Sequence, residues 1–199
     1  MALSKSKTRD KLVDTARQLF VKVGVGNTTM NDIAIASKKG RRTLYTYFKS
    51  KEDIFLAVVE SELAILSDTM QRVADKETSP DIKVIKIIFT HLEAIKEVVE
   101  RNGTLRGDFF RDIWKVEKVR KNFDTKEIQF FRKILQEGKD KGVFNIDDVE
   151  MTAVLLHYCV KGIEVSYIRG RIGDNLDEET RKRYATNIVF GALQRNESL

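Results

Sequence analysis

Cysteine and proline are almost absent from this chain of 199 residues, which has one of each. A single cysteine excludes an intrachain disulfide scaffold and a cysteine-rich zinc module, and it agrees with a reducing compartment. About ten prolines would be usual at a frequency of about 5%, so their scarcity permits long uninterrupted helices. No apolar run approaches the roughly 18 residues of a membrane span, and no apolar secretory signal follows the first charges. We therefore expect a cytoplasmic protein without a membrane segment.

Residues and motifs typical of metal sites and catalytic sites are also scarce. The two histidines, His91 and His157, lie 66 positions apart, without a cysteine or carboxylate at metal-ligand spacing beside both. We interpret each as a core-edge or surface residue. Cys159 follows apolar neighbours and is interpreted as a small buried hydrophobic residue. The chain has no glycine-rich phosphate loop, nucleophile motif or converging carboxylate pair. We therefore expect no enzyme, no cofactor and no metal.

Charge is plentiful but uneven. The formal net charge is +6, yet residues 1–52 hold 12 Lys and Arg against four Asp and Glu, which gives +8, and the remainder carries −2. A basic N-terminal segment on a near-neutral body indicates a polyanionic partner. Charge alone leaves open the alternative that these cations are simply solvated surface.

Apolar residues recur with a helical period along the whole chain. In the N-terminal part, the stripes and breaks predict helices over residues 8–23, 30–36 and 41–48, the first ended by Gly24 and Gly26. Thr29 and Ser50 each stand three residues before an aspartate, as N-caps do. We predict an all-α fold: an N-terminal helix-turn-helix unit of three helices (residues 1–52), followed by a larger helical domain (53–199). A helix over residues 50–74 joins them.

Four further stripes predict the helices of the larger domain. The first occupies residues 82–100, after a boundary at residues 75–81 that contains the only proline. The next carries Ile128 to Leu135 behind an Asp124-x-x-Glu127 cap, and the third begins at Asp147-x-x-Glu150 and runs to Ile168. A last stripe extends from Tyr184 to Leu193. No strand alternation stands beside these periods.

The helix over residues 41–48 has the chemistry of a DNA-reading element. Leu44 and Phe48 lie one turn apart and define its buried direction, so Arg42, Thr46 and Lys49 project outward. A guanidinium can donate two hydrogen bonds to guanine, and hydroxyl and ammonium groups can contact phosphates. The alternative is a basic helix on a purely structural bundle.

A longer pattern supports the DNA-reading interpretation. The run Ile33-Ala34 together with Thr43-Leu44-Tyr45-Thr46-Tyr47-Phe48-Lys49-Ser50-Lys51-Glu52-Asp53-Ile54-Phe55 resembles the N-terminal domain of TetR-family transcriptional regulators. The upstream residues Ala16, Leu19, Phe20, Gly24 and Thr28-Thr29 resemble it too. The match covers about residues 8–55, and the remainder agrees only in length and helical character. The resemblance implies a ligand-responsive homodimer, usually a repressor, bound to a palindromic operator in double-stranded DNA. It makes residues 1–52 the DNA-binding domain and residues 53–199 the ligand-binding and dimerisation domain.

Matching positions imply which side chains contact DNA, with Arg42 and Thr46 facing bases and Lys51 holding a phosphate. With the cations of the turn and of the helix added, the complete predicted set is Thr28, Thr29, Lys38, Lys39, Arg41, Arg42, Thr43, Tyr45, Thr46, Tyr47, Lys49 and Lys51. The turn departs from the family, because Lys38-Lys39-Gly40 stands where Gly-Val-Ser is usual. A left-handed Lys38 costs about 1 kcal/mol, whereas the two added charges suit phosphate contact.

The most apolar predicted helix, Met151 to Ile168, has more apolar surface than one helix face can bury in a body this small. We therefore expect an isologous dimer, although a helix central to its own domain is the alternative. The expected dimer residues are Leu155, Cys159, Ile163, Tyr167, Ile188, Val189 and Ala192. Candidates for an apolar effector pocket are Phe89, Phe110, Trp114 and Phe131, each of which would also fit ordinary core packing.

Two other functions stay open at this point. One is an architectural protein that binds DNA without reading its sequence. The other is a small-molecule binding protein of the same fold with weak or sequence-blind DNA binding, which the unusual Lys38-Lys39-Gly40 turn supports. The ratio of specific to non-specific affinity separates a regulator from both.

Overall fold

The computed structural model describes residues 2–76, 79–101, 113–172 and 175–194, and over these ranges the predicted all-α fold is confirmed. No helix in the described ranges is both long and apolar enough to cross a membrane. The helices are α1 (Ala2–Val23), α2 (Met30–Ala36), α3 (Arg41–Tyr47), α4 (Lys51–Lys76), α5 (Pro80–Arg101), α6 (Ile113–Asp140), α7 (Val149–Ile168) and α8 (Glu178–Ala192).

The chain divides into two compact units. The first comprises Met1–Ala64 and Glu97–Lys121, and the second comprises Ile65–Lys96 and Asn122–Leu199. Helices α1, α2 and α3 belong entirely to the first unit, and α7 and α8 belong entirely to the second. Helices α4, α5 and α6 contribute residues to both units.

The core of the first unit forms along the stripe that the sequence predicts for α1. Leu12, Val13, Ala16 and Phe20 are buried there, as are Ile54, Phe55 and Val58 of α4. The rings of Phe20 and Phe55 pack with their centroids 6.4 Å apart. Burying a side chain of this size contributes about 1.5–3 kcal/mol. Leu44 and Phe48 are also buried, which confirms the predicted inward direction of α3.

Arg17 ties α1 to α4 within the first unit. Its Nη2 donates to Ser61 Oγ over 2.6 Å, and its Nε lies 2.9 Å from Glu62 Oε1. The Arg17 and Glu62 side chains are only 21% and 10% exposed, so water screens this pair less than a surface pair. The first part of α4 is therefore held to α1 by charge as well as by apolar packing.

The core of the second unit lies on the inward faces of α5, α6 and α7. Its buried apolar members include Val84, Ile87, Ile88, Phe123, Phe131, Leu135, Ala153 and Val160. His91, Glu127 and His157 have no exposed surface and lie on the same inward faces. The predicted position of the two histidines at the core edge or surface is therefore wrong.

Two of the predicted helix starts are also corrected. Helix α6 runs without a break from Ile113 to Asp140, so Asp124 and Glu127 lie inside it and do not cap it. Helix α7 begins one residue later than its predicted cap implies, because Asp148 rather than Asp147 accepts the hydrogen bond from the Met151 backbone. Short acidic pairs fit an N-cap and a helix interior equally well, and only packing distinguishes them.

Cys159 is exposed, which contradicts its predicted burial. Helix α7 is apolar around most of its circumference, and its buried members are Ala153, His157, Val160, Glu164 and Ile168. Cys159 does not belong to that set. Since only one face of α7 is buried by its own chain, the apolar character of the sequence around Cys159 did not indicate its burial.

Gly138 marks a close approach in the last part of α6. A Cβ atom at this position would overlap Cδ2 of the buried Phe144 ring. The same addition at Gly162 in α7 would meet nothing within 4 Å. The aromatic ring therefore packs directly against the helix backbone at Gly138.

Candidate functional site: a nucleic-acid interface on α3

The turn between α2 and α3 has the hydrogen bonds that are usual at the C-terminus of a helix. The Lys39 amide donates to Ala34 O and the Lys38 amide donates to Ile35 O, both over 3.0 Å. This pair of bonds is the Schellman motif, in which the residue after the C-cap takes a left-handed conformation. Ser37 is the C-cap, and its buried hydroxyl donates to Ala34 O.

Lys38 occupies the left-handed position of that motif, with φ at 56°. The predicted left-handed Lys38 is therefore confirmed. Glycine is usual there because a side chain in this conformation costs about 1 kcal/mol. The substitution keeps the turn geometry and places an exposed ammonium group at its apex, beside a half-buried Lys39.

Helix α3 presents its polar side chains to solvent. Leu44 has no exposed surface, whereas Arg41, Arg42, Tyr45 and Thr46 are exposed, as is Lys49 just beyond the helix. Thr43 and Tyr47 are half-buried at its sides. The Thr46 hydroxyl donates to Arg42 O over 2.9 Å, and its oxygen retains lone pairs for a further hydrogen bond.

The two threonines before α2 have different environments. Thr28 is buried and its hydroxyl donates to Gly24 O over 2.7 Å. Thr29 is exposed and forms a complete capping box with Asp32, whose carboxylate accepts from the Thr29 backbone amide. Hydrogen bonds with Thr29 hold the pKa of Asp32 below its ordinary value. Of the pair, Thr29 is therefore the residue on the surface.

Lys51 is bound within the first unit. Its ammonium donates to Val25 O over 2.7 Å and to Gly26 O over 3.2 Å, which ties the start of α4 to the connection between α1 and α2. An ammonium group has three N–H donors, so these two bonds leave one for a phosphate.

Positive charge is continuous across this surface. Between residues 33 and 51 the sequence has six Lys and Arg and no acidic residue. The exposed cations lie on the turn and on α3, the part of a helix-turn-helix unit that enters the major groove. This arrangement has the charge and the donors to bind phosphates and base edges.

Comparison with known proteins agrees with this geometry. The family described as "Bacterial regulatory proteins, tetR family" matches residues 12–58. The HTH-type transcriptional repressor KstR2 of Mycolicibacterium smegmatis is 30% identical over 149 residues, which span 72% of this chain and 71% of that protein. The chain belongs to the TetR family.

Two further comparisons cover most of the chain. The HTH-type transcriptional regulator QacR of Staphylococcus aureus is 24% identical over 158 residues, or 78% of this chain and 83% of that protein. A TetR-family regulator structure from Pectobacterium atrosepticum superposes with a TM-score of 0.74 at 19% identity, over 97% of this chain and 95% of that one. As a TetR-family member, the chain is a transcriptional regulator with a DNA-binding helix-turn-helix unit.

The residues predicted for an effector pocket lie in different places. Phe89 is half-buried and lines an open cleft in the second unit, whereas Phe131 has no exposed surface. Phe110 and the Trp114 side chain lie outside the described residues. The prediction for these four aromatic residues stays a prediction.

The predicted dimer residues are mostly on the surface of the second unit. Leu155 is 56% exposed and Ile188 is 73% exposed, and Cys159, Ile163 and Ala192 are exposed too. Tyr167 and Val189 are half-buried. Helix α8 as a whole, 15 residues long, has no buried residue.

A buried ionic cluster joins α5, α6 and α7 and is not predicted from the sequence. His91 Nδ1–H donates to Glu127 Oε1 over 2.5 Å, and His91 Nε2–H donates to Glu164 Oε1 over 2.8 Å. His157 Nδ1–H donates to the other Glu127 oxygen over 2.6 Å. Among the residues that the structure describes, no group of three or more His, Cys, Asp or Glu side chains could hold a metal ion. We therefore interpret the cluster as a structural network.

The cluster shifts the ionisation of its members. Burial by itself lowers the pKa of His91, but hydrogen bonds to Glu127 and Glu164 outweigh it and raise that pKa to about 9. Burial likewise raises the pKa of Glu127, but the bonds from His157 and His91 outweigh it and hold that pKa below its ordinary value. His91 is thus an imidazolium ion at neutral pH, with both ring nitrogens donating.

We predict that Lys38 and Lys39 steepen the salt dependence of DNA binding. Replacing them with Gly and Val, the usual pair, is expected to flatten the slope of log K against log salt concentration. Each phosphate that a lysine no longer neutralises reduces that slope by about 0.9, so the change is about 1.8 per protomer if both lysines bind phosphate. Fluorescence anisotropy of labelled duplex DNA measures this slope. Salt concentrations from about 50 to about 200 mM cover the range in which DNA affinity changes strongly with salt.

The control removes the same charge elsewhere. Lys126 and Lys133 are exposed on α6 in the second unit, and their double replacement by Gln is expected to leave the slope unchanged. If the Lys38 and Lys39 variant has the same slope as the wild-type protein, these side chains do not contact phosphate.

We also predict that the protein loses stability between pH 6.5 and pH 9. The pKa of His91 is about 9 in the folded state and 6.5 without the cluster, so the folded state holds the proton more tightly. Its contribution is complete below pH 6.5 and is lost as the pH rises through 9. The free energy of unfolding is expected to fall by about 3 kcal/mol over this range, as urea unfolding at fixed protein concentration measures.

The variant His91→Gln isolates this contribution. It cannot take up the proton, so its unfolding free energy is expected to be lower at pH 6.5 and to change much less up to pH 9. Lys133→Gln serves as the control and keeps the wild-type pH dependence. Equal pH dependence in wild-type protein and His91→Gln would contradict the assignment.

Proposed function

We propose that this chain is a ligand-responsive transcriptional repressor that binds a pseudo-palindromic operator as a homodimer in the cytoplasm. Residues 1–52 form the DNA-binding domain, and residues 53–199 bind the effector and the second copy. The α3 helices of the two protomers occupy successive major grooves, about 34–36 Å apart. An effector shifts the population between conformations that fit and do not fit this spacing.

The observation that carries the DNA-binding part of this proposal is the outward face of α3. Buried Leu44 fixes the rotation of the helix, so the exposed Arg42 and Thr46 project away from the core of the first unit. The lysines of the turn extend the same positive surface. In the proposal, the lysines bind backbone phosphates, and Arg42 and Thr46 contact base edges.

In vitro selection of random duplex DNA by the purified protein tests the proposal. We expect an enriched inverted repeat, bound at least ~10³-fold more tightly than unrelated DNA. The variant Arg42→Ala is expected to lose about 1–3 kcal/mol of specific binding and to relax the preference at one base pair in each half-site. Arg72→Ala, which removes an exposed arginine of α4, is the matched control and is expected to select the same repeat.

Other results would favour the alternatives. Salt-sensitive binding without an enriched motif would support an architectural protein that binds DNA without reading its sequence. Equal DNA affinity of Arg42→Ala and wild-type protein would support a small-molecule binding protein, the function that the Lys38-Lys39-Gly40 turn favours.

The homodimer in this proposal is supported by the outer faces of α7 and α8. Leu155, Tyr158, Tyr184 and Ile188 are each more than half exposed. A helix that buries no residue of its own chain gains little from packing, so α8 needs another surface against its apolar side. A two-fold dimer supplies that surface because each protomer presents the same patch to the other.

We predict that charge on this face separates the protomers. The double variant Leu155→Glu and Ile188→Glu places four carboxylates in the proposed interface, where they lose hydration and repel each other. Sedimentation equilibrium at micromolar concentration is expected to give a dimer for wild-type protein and a monomer for the variant.

Ile35→Glu is the matched control, because Ile35 is 68% exposed on α2, in the first unit. This variant is expected to remain dimeric. A wild-type protein that sediments only as a monomer, or a double variant that stays dimeric, would contradict the proposed interface.

A further inference from the structure

An open cleft in the second unit combines an apolar wall with charged groups. It has a volume of about 430 Å³ and is lined by residues of α4, α5 and α8. Ligand sites in proteins have volumes of about 300–1,000 Å³ and pair apolar walls with a few polar groups. The core beside it contains apolar side chains of α5, α6 and α7 and the His91–Glu127 cluster.

The apolar wall is formed by Val73 of α4 and by Ile85 and Phe89 of α5. All three side chains are half-buried, so part of each is open to the cleft. Ile85 and Phe89 face this cleft, whereas Val84 and Ile88 face the core. The surface therefore offers contact to an apolar or aromatic group of a ligand.

The polar part of the cleft is cationic overall. Lys86 and Lys182 line it, and the Lys182 ammonium lies 5.7 Å from the centroid of the Phe89 ring. Lys182 also pairs with Glu178, one turn before it on α8. Because an ammonium group has three N–H donors, that pair leaves Lys182 able to bind a second anion.

Two carboxylates lie near these lysines, and both have partners. Glu93 accepts a hydrogen bond from the Tyr167 hydroxyl, and Glu178 pairs with Lys182. The Lys96 ammonium lies 5.8 Å from the centroid of the Tyr167 ring, and Arg181 adds positive charge near Tyr167 and Glu178. Among the described residues that line the cleft, two are cations, Lys86 and Lys182, and one, Glu93, is a carboxylate, which favours an anionic ligand.

We propose that this cleft is the effector site and that it binds an organic anion with an apolar body, its carboxylate on Lys182 and Lys86 and its hydrocarbon part on Phe89 and Ile85. The assignment as an effector site rests on the proposed function. The hydroxyls of Thr90 and Thr186 line the same cleft and supply further donors to the carboxylate. Phe89 is then a ligand contact, and Phe131 is part of the core.

Isothermal titration calorimetry with three probes that each have a ten-carbon chain tests the chemistry of the site. Decanoate, decanol and decyltrimethylammonium share the apolar chain and differ in the charge of the head group. Decanoate is expected to bind at least about tenfold more tightly than decanol, because a hydrogen bond to a charged partner is worth that factor or more. Decyltrimethylammonium is expected to bind more weakly than decanol.

Two variants assign binding to the cleft. Lys182→Gln removes the charge with little change in side-chain size, and it is expected to abolish the preference for decanoate over decanol. Phe89→Ala is expected to weaken the binding of decanoate and of decanol. Lys126→Gln, which removes an exposed lysine of α6, is the control and is expected to bind all three probes as the wild-type protein does.

Equal affinity for decanoate and decanol, or an unchanged preference in Lys182→Gln, would overturn the proposal. Tighter binding of decyltrimethylammonium would do so as well and would indicate a cation site centred on Glu93.

Operator binding without any probe separates this inference from the proposed function. If the protein selects no DNA sequence but binds decanoate through Lys182 and Phe89, the site stands and the regulatory function fails. If it selects an operator and Lys182→Gln leaves decanoate binding unchanged, the function stands and the site fails. When both hold, decanoate releases wild-type protein from the operator at concentrations that leave Lys182→Gln bound.

Discussion

A carboxylate with no exposed surface has to be hydrogen-bonded at both oxygens, and Glu127 imposes this requirement on the second unit. Its partners, His91 and His157, come from α5 and α7, and Glu164 of α7 binds the far side of His91. Apolar side chains alone would tolerate small changes in helix register, whereas these bonds fix one register. Removing one partner leaves an uncompensated buried charge, which typically costs about 3–5 kcal/mol.

The first unit is ordered by interactions between residues that are closer in sequence or in neighbouring helix ends. The Schellman turn, the Thr29 capping box and the Lys51 bonds each join residues close in sequence or neighbouring helix ends. Two buried side chains, Leu44 and Phe48, fix the rotation of α3. These two residues set the rotation of α3 without the exposed Arg42 and Thr46. Thr29, Lys38 and Lys51, by contrast, belong both to the predicted DNA contacts and to the bonds that order this unit. In the second unit, charged groups are part of the core itself.

The amino-acid sequence predicts the structure best where local chemistry decides it. The bounds of α2, the end of α1 at Gly24 and the direction of Leu44 all follow from caps, glycine and a 3.6-residue period. The Asp124 and Glu127 pair is misleading because its spacing matches a helix start, although the same spacing also occurs inside helices. One signal points the other way: Glu127 continues the apolar stripe of Phe123 and Phe131 at intervals of four. A buried charge breaks the rule that such stripes are apolar, and its partners lie 30 or more residues away, where periodicity gives no information.

The outer face of α7 is a second feature that the sequence alone does not determine. Sequence indicates that α7 is too apolar for one buried face, but it does not say which of Leu155, Cys159 and His157 faces inward. That choice depends on how α5 and α6 pack against it. The lining of the open cleft depends on packing in the same way, since Phe89 and Ile88 are adjacent in sequence and only Ile88 reaches the core.

The close approach of Phe144 to Gly138 restricts how this sequence can change over evolution. Any amino acid other than glycine at position 138 would bring a Cβ atom into the ring, so a neutral substitution there requires a prior change at Phe144 to a smaller residue. The reverse order passes through a destabilised intermediate. The two positions are therefore expected to vary together among related sequences, whereas no residue of the same chain lies within 4 Å of a Cβ atom added at Gly162.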